Sequence, residues 1–426
     1  MNSSAKFLCR KVLMRYYSQR VSGIQSENPS LPLSNVRILD LTRIIAGPFC
    51  TMLLADLGAE VIKLEQPVTG DECRKWGPPF LNNTELSTYF TCVNRNKKSM
   101  CVDFKTPEGQ QIIKDLAKQC DVLVENFVPG KLDRLNLGYK HLSEINSQLI
   151  YCSVTGFGSK GPYKDRPGYD IIAASIGGLL HITGHPDGPP CKVGIASIDL
   201  ATGLYAHGAV MAALLHKYKT GKGQKIDCNL LSTQVSMLIN VGANYLNAGI
   251  EGKRWGTSHA NVVPHQVFKT SNGYVTIGTG SDKQYQDMCK VMNLQHLALD
   301  PRYLTGALRV ENRELLCKEI EAKTMEKTTE EWLLIFQGVS FPYAQVNSIS
   351  QVFADEHIQD IKLVKEISHE KYGDIKIVGP AVAYSLTQPE VRTPPPALGE
   401  HTDYVLKDLL NYDETTIAKL KEKKIV

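Results

Sequence analysis

The stretch NVRILDLTRIIAGPFCTMLLADLGAEVIKLEQ, residues 35–66, decides the fold class. It opens with an apolar run, 35–41, of the kind that suits a short strand. TRIIAGP then turns into an apolar helical segment that ends at Gly58, where a helix C-terminus favours a residue without a Cβ. A second apolar run, EVIKLEQ at 60–66, follows at once. Strand, helix and strand in about thirty residues make one βαβ unit.

The alternation continues. KKSMCVDF (97–104), DVLVENF (121–127) and QLIYCSV (148–154) read as further strands. Between the first two, Thr106-Pro107-Glu108 offers a hydroxyl cap, a proline at the first helical position and an acid in the first turn. This predicts a helix running to about Gln119. Strands alternating with helices predict an α/β, doubly wound domain. Residues 199–218 are helical in pattern and largely apolar, with Gly203 and Gly208 allowing close contact with a neighbour. TGKGQKIDC breaks that pattern. Residues 225–330 differ in texture and predict a second, smaller domain. Over 331–426, YAQVN and IKIVGP return to α/β texture, before a proline-rich loop and a final helix.

A chain of 426 residues with 42% hydrophobic and 22% charged residues has the composition of a globular protein with room for two domains. A net charge of +4 gives no basic surface for nucleic acid, and no uninterrupted apolar run reaches membrane-spanning length. The 11 cysteines include no C-x-x-C pair, so reduced thiols are expected rather than a disulfide framework or a metal site. The first 26 residues lack Asp and Glu, and carry Lys6, Arg10, Lys11, Arg15 and Arg20 among serines and apolar residues. Residues 1–30 therefore read as a mitochondrial presequence.

TGFGSKGP, 155–162, holds G-x-G-x-x-G at Gly156, Gly158 and Gly161 after an apolar strand. In a dinucleotide fingerprint the third glycine opens a helix whose N-terminus meets the pyrophosphate. Here Pro162 and YKDRPGYD follow, so helical periodicity resumes only near Ile171 and an NAD enzyme is not expected.

The segments above, with KTPEGQ, DVLVENFVPGKLDRLNLGY, SVTGFGSKGPYKDRPGYD, the DLATG helix start, KTGKGQKIDC and PALGEHTDYVL, together resemble the class III CoA-transferases. That family includes formyl-CoA transferase, carnitine CoA-transferase and α-methylacyl-CoA racemase. The resemblance spans nearly the whole chain beyond the presequence. It implies a large α/β domain built from 31–224 and 331–426, a small domain from 225–330, and a homodimer of interlocked rings. It implies transfer of CoA from succinyl-CoA to a dicarboxylic acid such as glutarate in the mitochondrial matrix. No permanently bound cofactor, metal, nucleic acid or membrane is implied.

The resemblance places the nucleophile at Asp199, which would form a mixed anhydride and then an aspartyl-CoA thioester. Spacing alone makes Asp199 a helix-capping acid, and a helix N-terminus favours its ionised form. Asp170 is the second acid, with an ion pair to Arg166 as its alternative role. The resemblance assigns Arg43, Ile44, Val102, Phe104, Lys105, Asn126, Phe127 and Arg134 to the CoA groove, with Phe104 and Phe127 flanking adenine or pantetheine. Lys105 precedes a helix N-terminus, a sound anion site. The glycine turn would allow positive φ and close backbone approach to a ligand.

Three departures qualify this. Tyr169 stands where the racemases carry a histidine, which disfavours the alternative of an acyl-CoA racemase. Ile45 stands where formyl-CoA transferase has a catalytic glutamine, which suits a longer acyl chain. Gln66 stands where the family often has a base. Arg74, Lys253, Arg254 and His259 are each candidates to meet the acceptor's distal carboxylate, and the sequence does not choose among them. A catalytically silent CoA-binding protein is disfavoured by the intact Asp199 and glycine turns.

Overall fold

The computed structural model describes residues 31–81 and 84–426, so the basic segment read as a presequence lies outside the described residues. Strands β1 (Arg37–Leu41), β2 (Glu60–Glu65), β3 (Lys97–Cys101), β4 (Val122–Glu125), β5 (Ile150–Thr155) and β6 (Lys225–Asn229) form one six-stranded sheet. Its order is β3-β2-β1-β4-β5-β6 and every pairing is parallel. The opening stretch folds as its pattern requires. Helix α1 (Ala46–Asp56) links β1 to β2, and Gly58 sits beyond it at φ 106°.

Both faces of the sheet are buried. On one, Leu39, Leu41, Ile62 and Leu64 pack with Ile112, Ile113 and Leu116 of α2 (Pro107–Gln119). Val405, Leu406, Ile417 and Leu420, from the end of the chain, complete that core. On the other, Ile38, Val61, Val124 and Ile150 meet Cys50 and Leu54 of α1. Ala206, Val210 and Ala213 of α4 (Ser197–Thr220) join them. Cys50, Cys73, Cys120, Cys152 and Cys289 are buried and unpaired.

Helix α4 has the length and apolarity of a membrane-crossing helix. One of its faces packs on α1: a Cβ on Gly203 would lie 2.7 Å from the Ala46 carbonyl oxygen. A Cβ on Gly208 would meet nothing within 4 Å, so of the two glycines only Gly203 marks a close contact. The opposite face exposes Leu204, Tyr205, Leu215 and Tyr218.

Two boundaries read from texture shift. Lys225–Asn229, expected to begin the smaller domain, is the edge strand of the large sheet. Its solvent exposure explains the polar KIDCN sequence that hid it. Strands β7 (His265–Lys269), β8 (Tyr274–Gly278) and β9 (Tyr343–Gln345) form a separate antiparallel sheet. Its core of Phe268, Ile277, Tyr285 and Met288 includes Trp332, Phe336 and Phe341, so that core extends past residue 330. The stretch around IKIVGP pairs as an antiparallel hairpin, β10 (Val364–His369) with β11 (Gly373–Val378), and adds no strand to the large sheet.

Candidate active site

The strand order reverses between β1 and β4. In such a sheet the loops leaving these two strands diverge and open a crevice at their C-terminal ends. The order is shared with dinucleotide-binding domains, but the glycine turn leaves β5 rather than β1, and the next helix, α3 (Asp170–Ile176), opens well beyond Gly161. The loop after β1 is Thr42, Arg43, Ile44 and Ile45. Asn126, just past β4, clamps it: the Arg43 N–H donates to Asn126 Oδ1 at 3.0 Å, and Asn126 Nδ2 donates to the Arg43 carbonyl at 2.8 Å.

Ile44 stands at φ 72°. That region is hard for a β-branched residue and costs on the order of 1–3 kcal/mol. Its N–H donates to both carboxylate oxygens of Asp71, at 3.1 and 3.2 Å. Asp71 pairs with Lys63 at 2.9 Å, both side chains fully buried, and Lys63 Nζ donates to the Thr42 carbonyl at 2.7 Å. Burial pushes the Asp71 carboxyl upward, but the Lys63 charge and the N–H donors hold it down at about 2.

Asp199 lies in the first turn of α4 and lines the crevice together with Arg43, Ile44, Asn126, Phe127, Lys164, Arg166 and Tyr169. Asp170 is buried at the first turn of α3, and its Oδ2 accepts the N–H groups of Ile198 and Asp199 at 2.8 and 3.2 Å. The alternative role, an ion pair with Arg166, is not formed; that guanidinium lies over the rings of Tyr163 and Phe157. The expectation of an Asp199 held ionised by its helix is also corrected. Burial, and then the Asp170 charge, push Asp199 up to about 7. The helix N–H groups that would favour its anion are taken by Asp170.

Arg43, Ile44, Asn126 and Phe127 thus meet at one crevice with Asp199. Lys105 is exposed beside the N-terminus of α2, whose Thr106 cap accepts the Gly109 N–H at 3.1 Å. Arg134 is exposed and lines an adjoining cavity with Pro129 and Lys164. Lys131, which the sequence did not single out, sits among them: its Nζ lies 4.7 Å from the Phe127 ring centre. Burial, then Arg43, Lys105 and Arg134, push its pKa down, so these cations converge. Only their alternation with glycine and apolar residues in VPGKLDR could have flagged Lys131.

The Val102 side chain is wholly buried in the core, so it can offer a ligand no more than its backbone. Phe104 and Phe127 pack edge to face with centres 5.6 Å apart, which leaves no slot for a planar group between them. Gln66 lines a small cavity beneath them with Arg43. Gln66 Nε2 and Arg43 Nε are buried there with no partner among the described residues, and buried donors of this kind call for a ligand or water.

Of the candidate carboxylate readers, Arg74 drops out. It makes a buried two-pronged ion pair with Glu65 at 2.7 and 2.6 Å, donates to the Pro396 carbonyl and stacks on Phe90. Arg254 donates to the His181 and His185 carbonyls and, with Lys253, lines a cavity around Trp255 apart from Asp199. His259 packs on the His265 ring. Tyr89, unmarked in the sequence, packs with Ile44, Ile45 and Leu200. Burial, then Cys92 and the Asp199 charge, push its hydroxyl up to about 12. The glycine turn does take positive φ, 84° at both Gly158 and Gly161, but Gly156 approaches backbone rather than ligand: a Cβ there would lie 2.8 Å from the Gly168 Cα.

With sheet, crevice and paired acids in place, residues 33–402 match the CoA-transferase family III model, and the chain belongs to that family. It is 53% identical over 397 residues to a succinyl-CoA:glutarate CoA-transferase of Mus musculus, covering 93% of this chain and 91% of that protein. The Homo sapiens succinyl-CoA:glutarate CoA-transferase is 51% identical over 389 residues, covering 91% and 88%. Among solved structures, a CAIB/BAIF family protein from Brucella suis superposes with a TM-score of 0.81 at 36% identity, covering 89% of this chain and 100% of that one.

Proposed function

We propose that this protein is a CoA-transferase that moves CoA from succinyl-CoA to glutarate, with Asp199 as the covalent nucleophile. The observation that carries the reading is the position of Asp199 in the switch-point crevice beside Arg43, Asn126 and Phe127, in a chain more than half identical to enzymes of that name.

Asp199 carboxylate attacks the succinyl thioester carbonyl, the C–S bond breaks, and CoA leaves as thiolate. The product is a mixed anhydride of succinate and Asp199. The thiolate attacks the aspartyl carbonyl and expels succinate, leaving an aspartyl-CoA thioester. A glutarate carboxylate attacks that carbonyl and again expels thiolate. The thiolate then attacks the glutaryl carbonyl of the second anhydride, giving glutaryl-CoA and free Asp199 carboxylate. No net proton or electron is consumed. Asp170 fixes the Asp199 backbone, and its charge makes the Asp199 carboxylate more basic and so a better nucleophile once ionised. Arg43, Lys105, Lys131 and Arg134 supply cations for the CoA phosphates. Lys164 and Arg166, which line the Asp199 crevice, are the cations placed to read the distal carboxylate of the acceptor.

We further propose a homodimer, as the family resemblance implies, with the exposed apolar face of α4 at Leu204, Tyr205, Leu215 and Tyr218 as a surface the second copy covers. We place the enzyme in the mitochondrial matrix on the acid-free basic character of residues 1–26.

The test is to incubate the protein with succinyl-CoA alone, quench, and treat with hydroxylamine. The modified peptide is expected to carry Asp199, and addition of glutarate to yield glutaryl-CoA by mass. Modification elsewhere, or full activity in Asp199→Asn, overturns the mechanism.

A further inference from the structure

We infer that Asp71, braced by Lys63, is a positioning residue for CoA binding: it holds Ile44 in the left-handed conformation and thereby sets the crevice face of Arg43 and Ile44. The inference rests on the reading that this loop lines the CoA groove.

Three consecutive residues have backbones gripped by side chains from outside their own loop, the fully buried Lys63 and Asp71 and the part-buried Asn126. Lys63, on β2, takes the Thr42 carbonyl at 2.7 Å. Asn126, past β4, takes both the N–H and the carbonyl of Arg43. Asp71 takes the Ile44 N–H with both oxygens. Asp71 is itself tied down: its own N–H donates to Glu65 Oε2 at 2.9 Å, and its Oδ1 accepts the Cys73 N–H at 3.2 Å.

Burying the Lys63–Asp71 pair without exposure is an expensive way to join β2 to a turn, since apolar side chains of similar volume stabilise such a place as well or better. What apolar side chains cannot do is hold a β-branched residue at positive φ through its N–H. Strain of this kind persists only where the surroundings over-determine it. The outcome is an Arg43 guanidinium that lies 5.1 Å from the Phe127 ring centre and pairs through Nη1 with Glu72, while its Nε is buried without a partner among the described residues.

Asp71 also caps the short turn Glu72–Lys75, so a simple loss of function in its variants would not separate positioning from folding. The Ile44→Gly background separates them, because glycine adopts φ near 72° without strain and needs no anchor. Full-length Asp71→Asn, Ile44→Gly and the double variant are compared by CoA titration calorimetry and by steady-state kinetics with succinyl-CoA. Asp71→Asn is expected to raise both the Kd of CoA and the KM of succinyl-CoA about tenfold, with kcat within about threefold of wild type, the pattern of lost uniform binding. In the Ile44→Gly background the same change is expected to cost less than about threefold, a coupling that a cycle of this kind isolates. Equal losses in both backgrounds, or no loss, overturn the inference.

If Asp71→Asn fails to fold, Lys63→Met/Asp71→Asn removes both charges and runs the same cycle. Independently, Ile44→Gly is expected to have a higher thermal midpoint than Ile44→Ala, which loses the same packing but keeps a Cβ at positive φ, and a lower one counts against stored strain. Arg43→Ala and Phe127→Ala serve as the control. CoA affinity unchanged in both overturns the groove reading itself, whereas weakened affinity with an additive cycle overturns only the role of Asp71.

Discussion

One oxygen of Asp170 accepts the backbone N–H groups of both Ile198 and Asp199, at 2.8 and 3.2 Å. The residue before α4, Ala196, has no side chain to cap the helix, so Asp170 does so from α3. The two acids are thereby one unit. Asp170 occupies the helix donors, and its charge raises the basicity of the carboxylate it positions.

That coupling sets the pH dependence. In the proposed mechanism Asp199 attacks only when ionised, and burial with Asp170 raises its pKa to about 7. The rate of adduct formation is therefore expected to rise with pH through about 7. Asp170→Asn keeps an acceptor oxygen for the helix and removes the like charge, so the midpoint is expected to fall by roughly one pH unit. A pH profile of single-turnover adduct formation checks this. An unmoved or raised midpoint in Asp170→Asn would show that the two acids are not coupled.

Stability carries the opposite signature. The folded pKa of Asp199 lies above that of the unfolded chain, so between about pH 4 and 7 the unfolded state is ionised while the folded state keeps its proton. Stability from this group falls as pH rises through that window. Asp199→Asn is expected to abolish transfer yet to be more stable at pH 8, by on the order of 1–4 kcal/mol. The gap between the thermal midpoints of the variant and wild type should widen from pH 4 to 8. A constant gap would show that the buried charge is not the cause.

Arg74 gives a third test. Its guanidinium is committed to Glu65, Pro396 and the Phe90 ring. Arg74→Ala leaves the buried Glu65 short of its partner and is expected to cost about 3–5 kcal/mol in chemical denaturation. The KM for glutarate in protein that remains folded is expected to stay within about twofold, since loss of uniform substrate binding is what raises KM. A large, selective rise in that KM would return Arg74 to the acceptor site.

The two glycines of α4 should separate. Gly203→Ala drives a Cβ against the Ala46 carbonyl at the start of α1, next to Ile45, and is expected to lower both stability and activity, by about 1–3 kcal/mol for the overpacking. Gly208→Ala meets nothing within 4 Å in the protomer and is expected to leave its packing intact, any effect appearing only in the dimer, since Gly208 shares the outer face of α4 with Leu204 and Leu215. Thermal midpoints of the pair decide, and equal shifts would contradict the packing described.

Much of the fold was legible because it is written in local terms. The βαβ unit at 35–66 shows in apolar run lengths and a terminal glycine. Helix α2 shows in Thr106 and Pro107, and its bounds match the expectation. The central strands show as short, mainly apolar runs, as parallel strands buried on both faces favour, although β1, β2 and β3 carry buried Asp40, Lys63 and Lys97. Lys225–Asn229 escaped because an edge strand exposes its side chains and so loses that run. The middle core ran past residue 330 because Trp332, Phe336 and Phe341 pack into it ahead of the strand Tyr343–Gln345 that completes its sheet.

The site divides the same way. The resemblance carried by the motifs put forward Asp199, Asp170 and a set of basic and aromatic residues as candidates, where spacing alone made Asp199 no more than a helix cap. Only the tertiary structure decided what each could do. Burial turned Val102 into core and committed Arg74 to Glu65, while Phe104 and Phe127 closed on each other. The fold brought Lys131 and Tyr89 to the crevice, and replaced the expected ionising effect of a helix N-terminus on Asp199 with the raising effect of a buried neighbouring acid. Periodicity records which side of an element faces a core. The charge state of a carboxylate and the partner of a guanidinium depend on groups that are distant in sequence, and folding alone sets those distances.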